Sequence, residues 1–200
     1  KFIASRMGQK KALLFGTYGA IGTSVLMFCL MVWGDPSSFS FTNISFFTIA
    51  FCLLWIFQKG FSGISGNIVI PMTADCADYE TYRTGKYVPG LMGTLFSFVD
   101  KVISSLASTI VALMFALVGY AQEVPTDKSP WSEGLFWVVV IAFTIVPIIG
   151  WLCNVVAMKF YPLTKEKMEE IQEKIAEIKA KNLAENEAAA AAEAVEAELL

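Results

Sequence analysis

The sequence predicts an all-α membrane protein, four transmembrane helices followed by a charged helical tail. Three observations lead there. Of the 200 residues, 56% are hydrophobic and only 16% are charged, whereas soluble domains hold roughly 45–50% apolar residues. The apolar residues gather into runs of about twenty, the length a helix needs to cross a bilayer core of roughly 30 Å. Pro, Ser, Asp and Gly collect between these runs, where turns belong.

Residues 1–11 read as a basic loop holding Arg6, Gly8 and Lys10. The domain that follows covers 12–161, with spans at about 12–33, 43–73, 93–118 and 134–158. The second span lies in an apolar run from Phe41 to Ala74 that is broken only by Gln58-Lys59. At 1.5 Å per residue such a run reaches about 45 Å, so it must tilt, project, or bend near Gly60, Gly63, Gly66 or Pro71. Gly16, Gly19 and Gly22 in the first span, and Gly60, Gly63 and Gly66 in the second, form small faces that let helices approach closely.

Residues 162–200 form the tail. Met168, Ile171, Ile175 and Ile178 recur at helical spacing and predict a short amphipathic helix. The Ala/Glu-rich stretch beyond it is low-complexity sequence that reads as solvated. Lysines and arginines mark the cytoplasmic side of membrane proteins, and they fall at the first loop, at Arg83 and Lys86, and at Lys159, Lys165 and Lys167, with Lys128 alone on the other side. Both termini are therefore expected in the cytoplasm. A start at Lys1 rather than methionine reads as a fragment.

Composition also excludes. Histidine is absent, which removes the commonest metal ligand and the usual catalytic base. The four cysteines show no C-x-x-C spacing. No nucleophile–base pattern, metal site, cofactor motif or basic nucleic-acid surface is present, so enzyme chemistry has no support.

The charges inside apolar runs carry the functional signal. Asp100 and Lys101 lie in the third span, where an ionisable side chain costs roughly 2.5–3.5 kcal/mol on insertion scales and by default faces an aqueous path or a partner. Lys101 lies about 16 Å along the helix from Gly90, near the midplane. Neighbours on a helix point about 100° apart, so the two cannot satisfy each other well. They read either as a structural interhelical pair or as groups facing a cavity. Lys59, deep in the second span, can snorkel or reach an acid such as Asp100. Asp75 and Asp78, three apart, stack on one helix face and want a cation opposite. They read either as ordinary acids at a membrane exit or as half of an ion-paired gate that includes Arg83.

Asp75-x-x-Asp78-Tyr79, Thr84-Gly85-Lys86, the aromatic-rich helix with Lys101, and Gly119-Tyr120 together resemble the glycoside-pentoside-hexuronide:cation symporters of the major facilitator superfamily. Ser5-Arg6-Met7-Gly8-Gln9-Lys10-Lys11 is similar to the Arg-x-Gly-x-Lys/Arg loop of that superfamily. The resemblance covers most of residues 1–161. It implies helices nine to twelve of a twelve-helix carrier in the bacterial inner membrane, working by alternating access. On this resemblance Lys101, Ser97 and Asp100 border the sugar site, Asp75, Asp78 and Arg83 lock the cytoplasmic side, and Arg6, Gly8 and Lys10 form a conformational loop. Asp100 and Lys59 depart from the melibiose-carrier pattern. The implied partners are a sugar, a coupling Na⁺ or H⁺ bound mainly by residues outside this chain, the bilayer, and the missing N-terminal helices. Two other readings stand beside it: a lysolipid carrier of the same architecture, and a four-helix scaffold subunit that transports nothing.

Overall fold

The computed structural model describes residues 7–85, 89–121, 125–126 and 129–177. Among them the regular structure is entirely helical. Four helices are long and apolar enough to cross a membrane: α1 (Gln9–Trp33), α2 (Phe46–Thr84), α3 (Pro89–Leu117) and α4 (Glu133–Phe160). A fifth, α5, covers 165–177. The chain is an integral membrane protein of the all-α class.

The helix ends are fixed by local chemistry. The Ser45 hydroxyl accepts from the Thr48 N–H at 3.1 Å and starts α2. The Ser132 hydroxyl does the same for Leu135 at 3.2 Å and starts α4. Each satisfies an N–H that the first helical turn leaves without an internal partner. Gly85 ends α2 in the left-handed conformation, φ +71°, with its N–H on the Thr81 carbonyl at 2.8 Å. Ser45 is thus a structural cap, although Asn43-Ile44-Ser45 matches a glycosylation sequon.

At 39 residues and 1.5 Å per residue, α2 is about 58 Å long, roughly twice the hydrocarbon core. It runs about three turns beyond the expected end of the span at 73. Apolarity marks where the membrane stops, and the polar residues after Ala74 are still good helix formers. The helix is continuous through Pro71.

In α4 the path is interrupted by a π-helical turn at Ile141–Ile145, just before Pro147. Proline has no N–H to donate to the carbonyl four residues back, and the wider turn absorbs that missing bond. Thr144, fully buried, donates to the Val140 carbonyl at 2.6 Å within the same turn.

α1 is packed against both α2 and α4. Lipid is as apolar as leucine, so helices in a bilayer associate through close packing and hydrogen bonds rather than through the hydrophobic effect. Both are present. A Cβ at Gly16 would lie 2.9 Å from the Phe61 carbonyl and the Ser65 nitrogen, so only glycine permits this approach of α1 to α2. Gly60, Gly63 and Gly66, by contrast, meet nothing within 4 Å, and that small face is open.

The hydrogen bonds run in a buried polar seam. Thr17 donates to the Leu13 carbonyl at 2.9 Å, receives the Asn154 amide of α4 at 2.9 Å, and lies 3.1 Å from the Ser65 hydroxyl of α2. A hydroxyl has one proton and two lone pairs, so with its proton on Leu13, Thr17 accepts from both neighbours. Gln58 donates to Ser24 at 2.6 Å one level away. Thr17→Val should leave the Asn154 amide and the Ser65 hydroxyl without partners and destabilise the bundle by about 1–2 kcal/mol. Thermal unfolding in detergent checks this, with Thr17→Ser expected close to the parent.

Candidate functional site

The site residues named from the sequence fall on three structural features. The first is α3. Every residue from Gly93 to Ile110 is exposed, so α3 stands clear of the α1–α2–α4 cluster through its middle. Ser97 and Lys101, one turn apart, share a face, and Asp100 is rotated about 100° from Lys101. Among the described residues none of the three has an ion-pair partner. Ser104, Ser105 and Ser108 extend the same polar face, a pattern that sequence reading passed over because serines do not interrupt an apolar run. Ser108 and Thr109 are satisfied within the helix, donating to the carbonyls of Ser104 and Ser105 at 2.9 and 3.0 Å. The helix therefore has a hydroxyl-lined face with a cation near its middle and an apolar face elsewhere.

The second feature is the basic end of the bundle, where α1 begins, α4 finishes and α2 projects. Gly8, φ +81° and ψ 155°, is the residue before α1, and its positive φ, which glycine adopts without a Cβ clash, lets the chain turn into the helix. Lys10 donates from Nζ to the Tyr161 carbonyl at 2.6 Å, tying the start of α1 to the residue after α4. Arg6, the third residue of this loop, lies outside the described residues. Ala12, Leu13, Ile68 and Met72 form the buried cluster beneath.

Asp75 and Asp78 project from the extended part of α2. Asp75 lines a cavity of about 500 Å³ together with Gly8, Gln9 and Gln172, and the Gln9 side chain hydrogen-bonds to its carboxylate. Asp78 accepts from Gln172 Nε2 at 2.6 Å. Arg83 is turned away from both and lies 3.8 Å from Glu80 on its own helix. Neither aspartate faces a cation among the described residues.

The amphipathic helix expected from Met168, Ile171 and Ile175 is α5, and what sequence reading missed is the surface that covers it. Its apolar face is docked rather than free: Ile171, Ile175 and Leu163 are buried against Cys76, Tyr79, Tyr82, Tyr161 and Met168. Outside the membrane each such side chain contributes about 1.5–3 kcal/mol on full burial. Lys174 donates to the Tyr82 hydroxyl at 3.2 Å and lies over the Tyr82 ring at 5.2 Å. Burial first, and the neighbouring Cys76 and Asp75 next, push the Tyr161 phenol well above its ordinary range. Ile178 and the remainder of the tail lie outside the described residues.

On the exposed side of α5, Glu170 is hydrogen-bonded by Lys167 at 2.9 Å and Lys174 at 3.4 Å, which lowers its pKa below the ordinary 4.5. A carboxylate with a depressed folded pKa stabilises above its unfolded pKa and loses that contribution as pH falls through the folded value. The protection of the 165–177 amides, their exchange relative to the intrinsic rate at each pH, should therefore be higher at neutral pH and fall as pH drops below about 4.5, and Glu170→Gln should remove part of that dependence. Ile175→Asp should expose the segment at every pH.

The third feature is Lys59, exposed on α2 with its Nζ 4.7 Å from the centre of the Trp55 ring. It forms no ion pair with Asp100.

Four membrane-crossing helices, with charges retained within two of them and a helix end carrying Asp75 and Asp78 beyond the apolar run, define the chain as a polytopic α-helical membrane protein. The family described as MFS/sugar transport protein matches residues 1–165, and the chain belongs to that family. It is 28% identical over 170 residues to the glucuronide carrier protein homolog of Escherichia coli (strain K12), covering 84% of this chain and 33% of that protein. It is 25% identical over 184 residues to the isoprimeverose transporter of Lactiplantibacillus pentosus, covering 92% and 34%. It is 29% identical over 122 residues to the inner membrane symporter YicJ of Escherichia coli (strain K12), covering 58% and 25%. The chain thus spans about a third of the length of the first two relatives. No solved structure matches it at comparable significance. The resemblance to the glycoside-pentoside-hexuronide carriers, drawn from Asp75 to Tyr120, agrees with these relatives, which are transporters and not enzymes.

Proposed function

We propose that this chain is the C-terminal third of a secondary carrier that moves a sugar-type solute, a glycoside, pentoside or hexuronide, together with Na⁺ or H⁺. The observation that carries the reading is Lys101: a cation in the middle of an apolar helix, on a hydroxyl-lined face, with no protein counter-charge in reach among the described residues. A group so placed is costly unless a solute, an ion or another part of the carrier satisfies it. The named activities of two relatives, a glucuronide carrier homolog and an isoprimeverose transporter, support a sugar as that solute.

In this mechanism Lys101 and Ser97 donate to the solute near the midplane, and Asp100 sets the local charge. A ligand shifts the balance between inward-open and outward-open states only by binding them unequally. Lys101 is therefore satisfied by solute in one state and by protein in another. Asp75, Asp78 and Arg83 close the cytoplasmic side by pairing with groups of the other half of the carrier, and the Arg6–Gly8–Lys10 loop couples the start of α1 to that closure through the Lys10–Tyr161 bond.

Replacing Lys101 by Ala in the complete carrier should cut uptake of labelled sugar at least about tenfold, the loss of roughly one charge-assisted hydrogen bond, at unchanged membrane expression. Undiminished uptake would overturn the assignment and favour a scaffold. Converting Asp75 and Asp78 together to Asn should lower uptake and reduce cysteine crosslinking between the two halves at the cytoplasmic side; a normal result in both assays would remove the gate.

A further inference from the structure

A cavity lies between α2 and α4, apart from the polar face of α3. Lys59 is thirteen residues beyond Phe46, about 20 Å along the helix from that end and well inside the hydrocarbon region. Its contact with Trp55 is a cation–π interaction, worth about 0.5–2 kcal/mol. It is not a counter-charge, and no carboxylate among the described residues lies within ion-pair distance.

The ammonium opens on a cavity of about 270 Å³ bounded by Gln58, Ser62, Phe143, Pro147 and Trp151. Gln58 spends an amide proton on Ser24, which leaves its amide oxygen as an acceptor. The Ser62 hydroxyl and the Trp151 indole N–H add donors. Ammonium, amide oxygen, hydroxyl and indole suit a small anionic group flanked by hydroxyls.

The wall of this cavity is built by an irregularity of the backbone. The π-helical turn before Pro147 carries Phe143, and its ring lies flat on Trp55, centroids 4.7 Å apart and planes 10° from parallel. Single π turns inside α-helices recur at functional sites. On the other side of this stacked pair lies a cavity of about 470 Å³, lined by Phe39, Phe51, Ile56 and Val139 and nearly without polar surface. It lies nearer the end of the bundle opposite the basic one.

The order of polarity along this groove is apolar near the membrane surface and charged at depth. A bilayer phospholipid has the reverse order, since its charged headgroup stays at the surface. We propose that Lys59, with the aromatic walls of α2 and α4, forms a binding site for an amphipathic organic anion, its acidic head at Lys59 and its flat or apolar body against Phe143, Trp55 and the chamber beyond. The proposal rests on the reading of the chain as a carrier of sugar-type solutes and gives the acidic group of such a solute to Lys59 rather than to Lys101; it is tested by binding rather than uptake.

The probes are 4-nitrophenyl β-D-glucuronide and 4-nitrophenyl β-D-glucoside, which share the aromatic ring and differ at a carboxylate against a hydroxymethyl. The complete carrier, purified in detergent, is titrated with each by calorimetry. The glucuronide should bind at least about tenfold more tightly, as a charge-assisted pair implies. Lys59→Gln should bring the two within about twofold while still binding the glucoside, which shows that the variant is folded; Lys59→Arg should keep the preference, and Phe143→Ala should weaken both. Equal affinities in the parent, a preference that survives Lys59→Gln, or one that disappears only in Lys101→Gln would overturn the proposal. Displacement of the glucuronide by phosphatidylglycerol in mixed micelles would do so too, by placing a lipid in the groove.

Discussion

The three-way hydrogen bonding of Thr17 is the interaction on which the rest of the packing depends. In a bilayer, apolar side chains gain nothing by leaving lipid for one another, so a bundle needs directional bonds to choose its neighbours. Thr17 supplies them at a single atom, with α2 reached through Ser65 and α4 through Asn154. The glycine contact at Gly16 brings the backbones close enough for the short Ser65 hydroxyl to reach. Removing either device would leave the other with little to act on.

The same logic explains why α3 is so different. Among the described residues it has no comparable polar partner on α1, α2 or α4, and the hydroxyls of Thr94, Ser108 and Thr109 are spent on its own carbonyls. What this leaves on its exposed surface is the Lys101 ammonium, the Asp100 carboxylate, the hydroxyls of Ser97, Ser104 and Ser105, and apolar side chains. Polar groups that hold a membrane protein together face each other across helices.

Much of this was legible in the sequence, for reasons that differ by feature. The spans were readable because uncharged runs near twenty residues have few alternatives, and the intramembrane charges because they break such runs. The true end of α2 was not readable: hydropathy reports the edge of lipid, while the helix continues until Gly85 turns left-handed. Nor was the seam, since Thr17, Ser24, Ser65 and Asn154 are ordinary in membrane helices and only their register brings them together. The glycines show the limit well. Gly16 sits in a tight crossing and Gly60, Gly63 and Gly66 do not, although both triplets have the same spacing. The docking of α5 was half visible, because Ile171 and Ile175 declared an apolar face but not what would cover it. Gln172, a neutral residue in a charged tail, gave no hint that it would meet Asp78.

The long projection of α2 has a mechanical consequence. Its last turns, beyond the expected membrane edge, are joined to α5 through the isoleucine–tyrosine contact and the Gln172–Asp78 bond into one arm. A lever with its fulcrum in the bilayer magnifies at its tip any small tilt at its base. The tail helix thus sits at the tip of that arm, where any tilt of α2 produces its largest displacement.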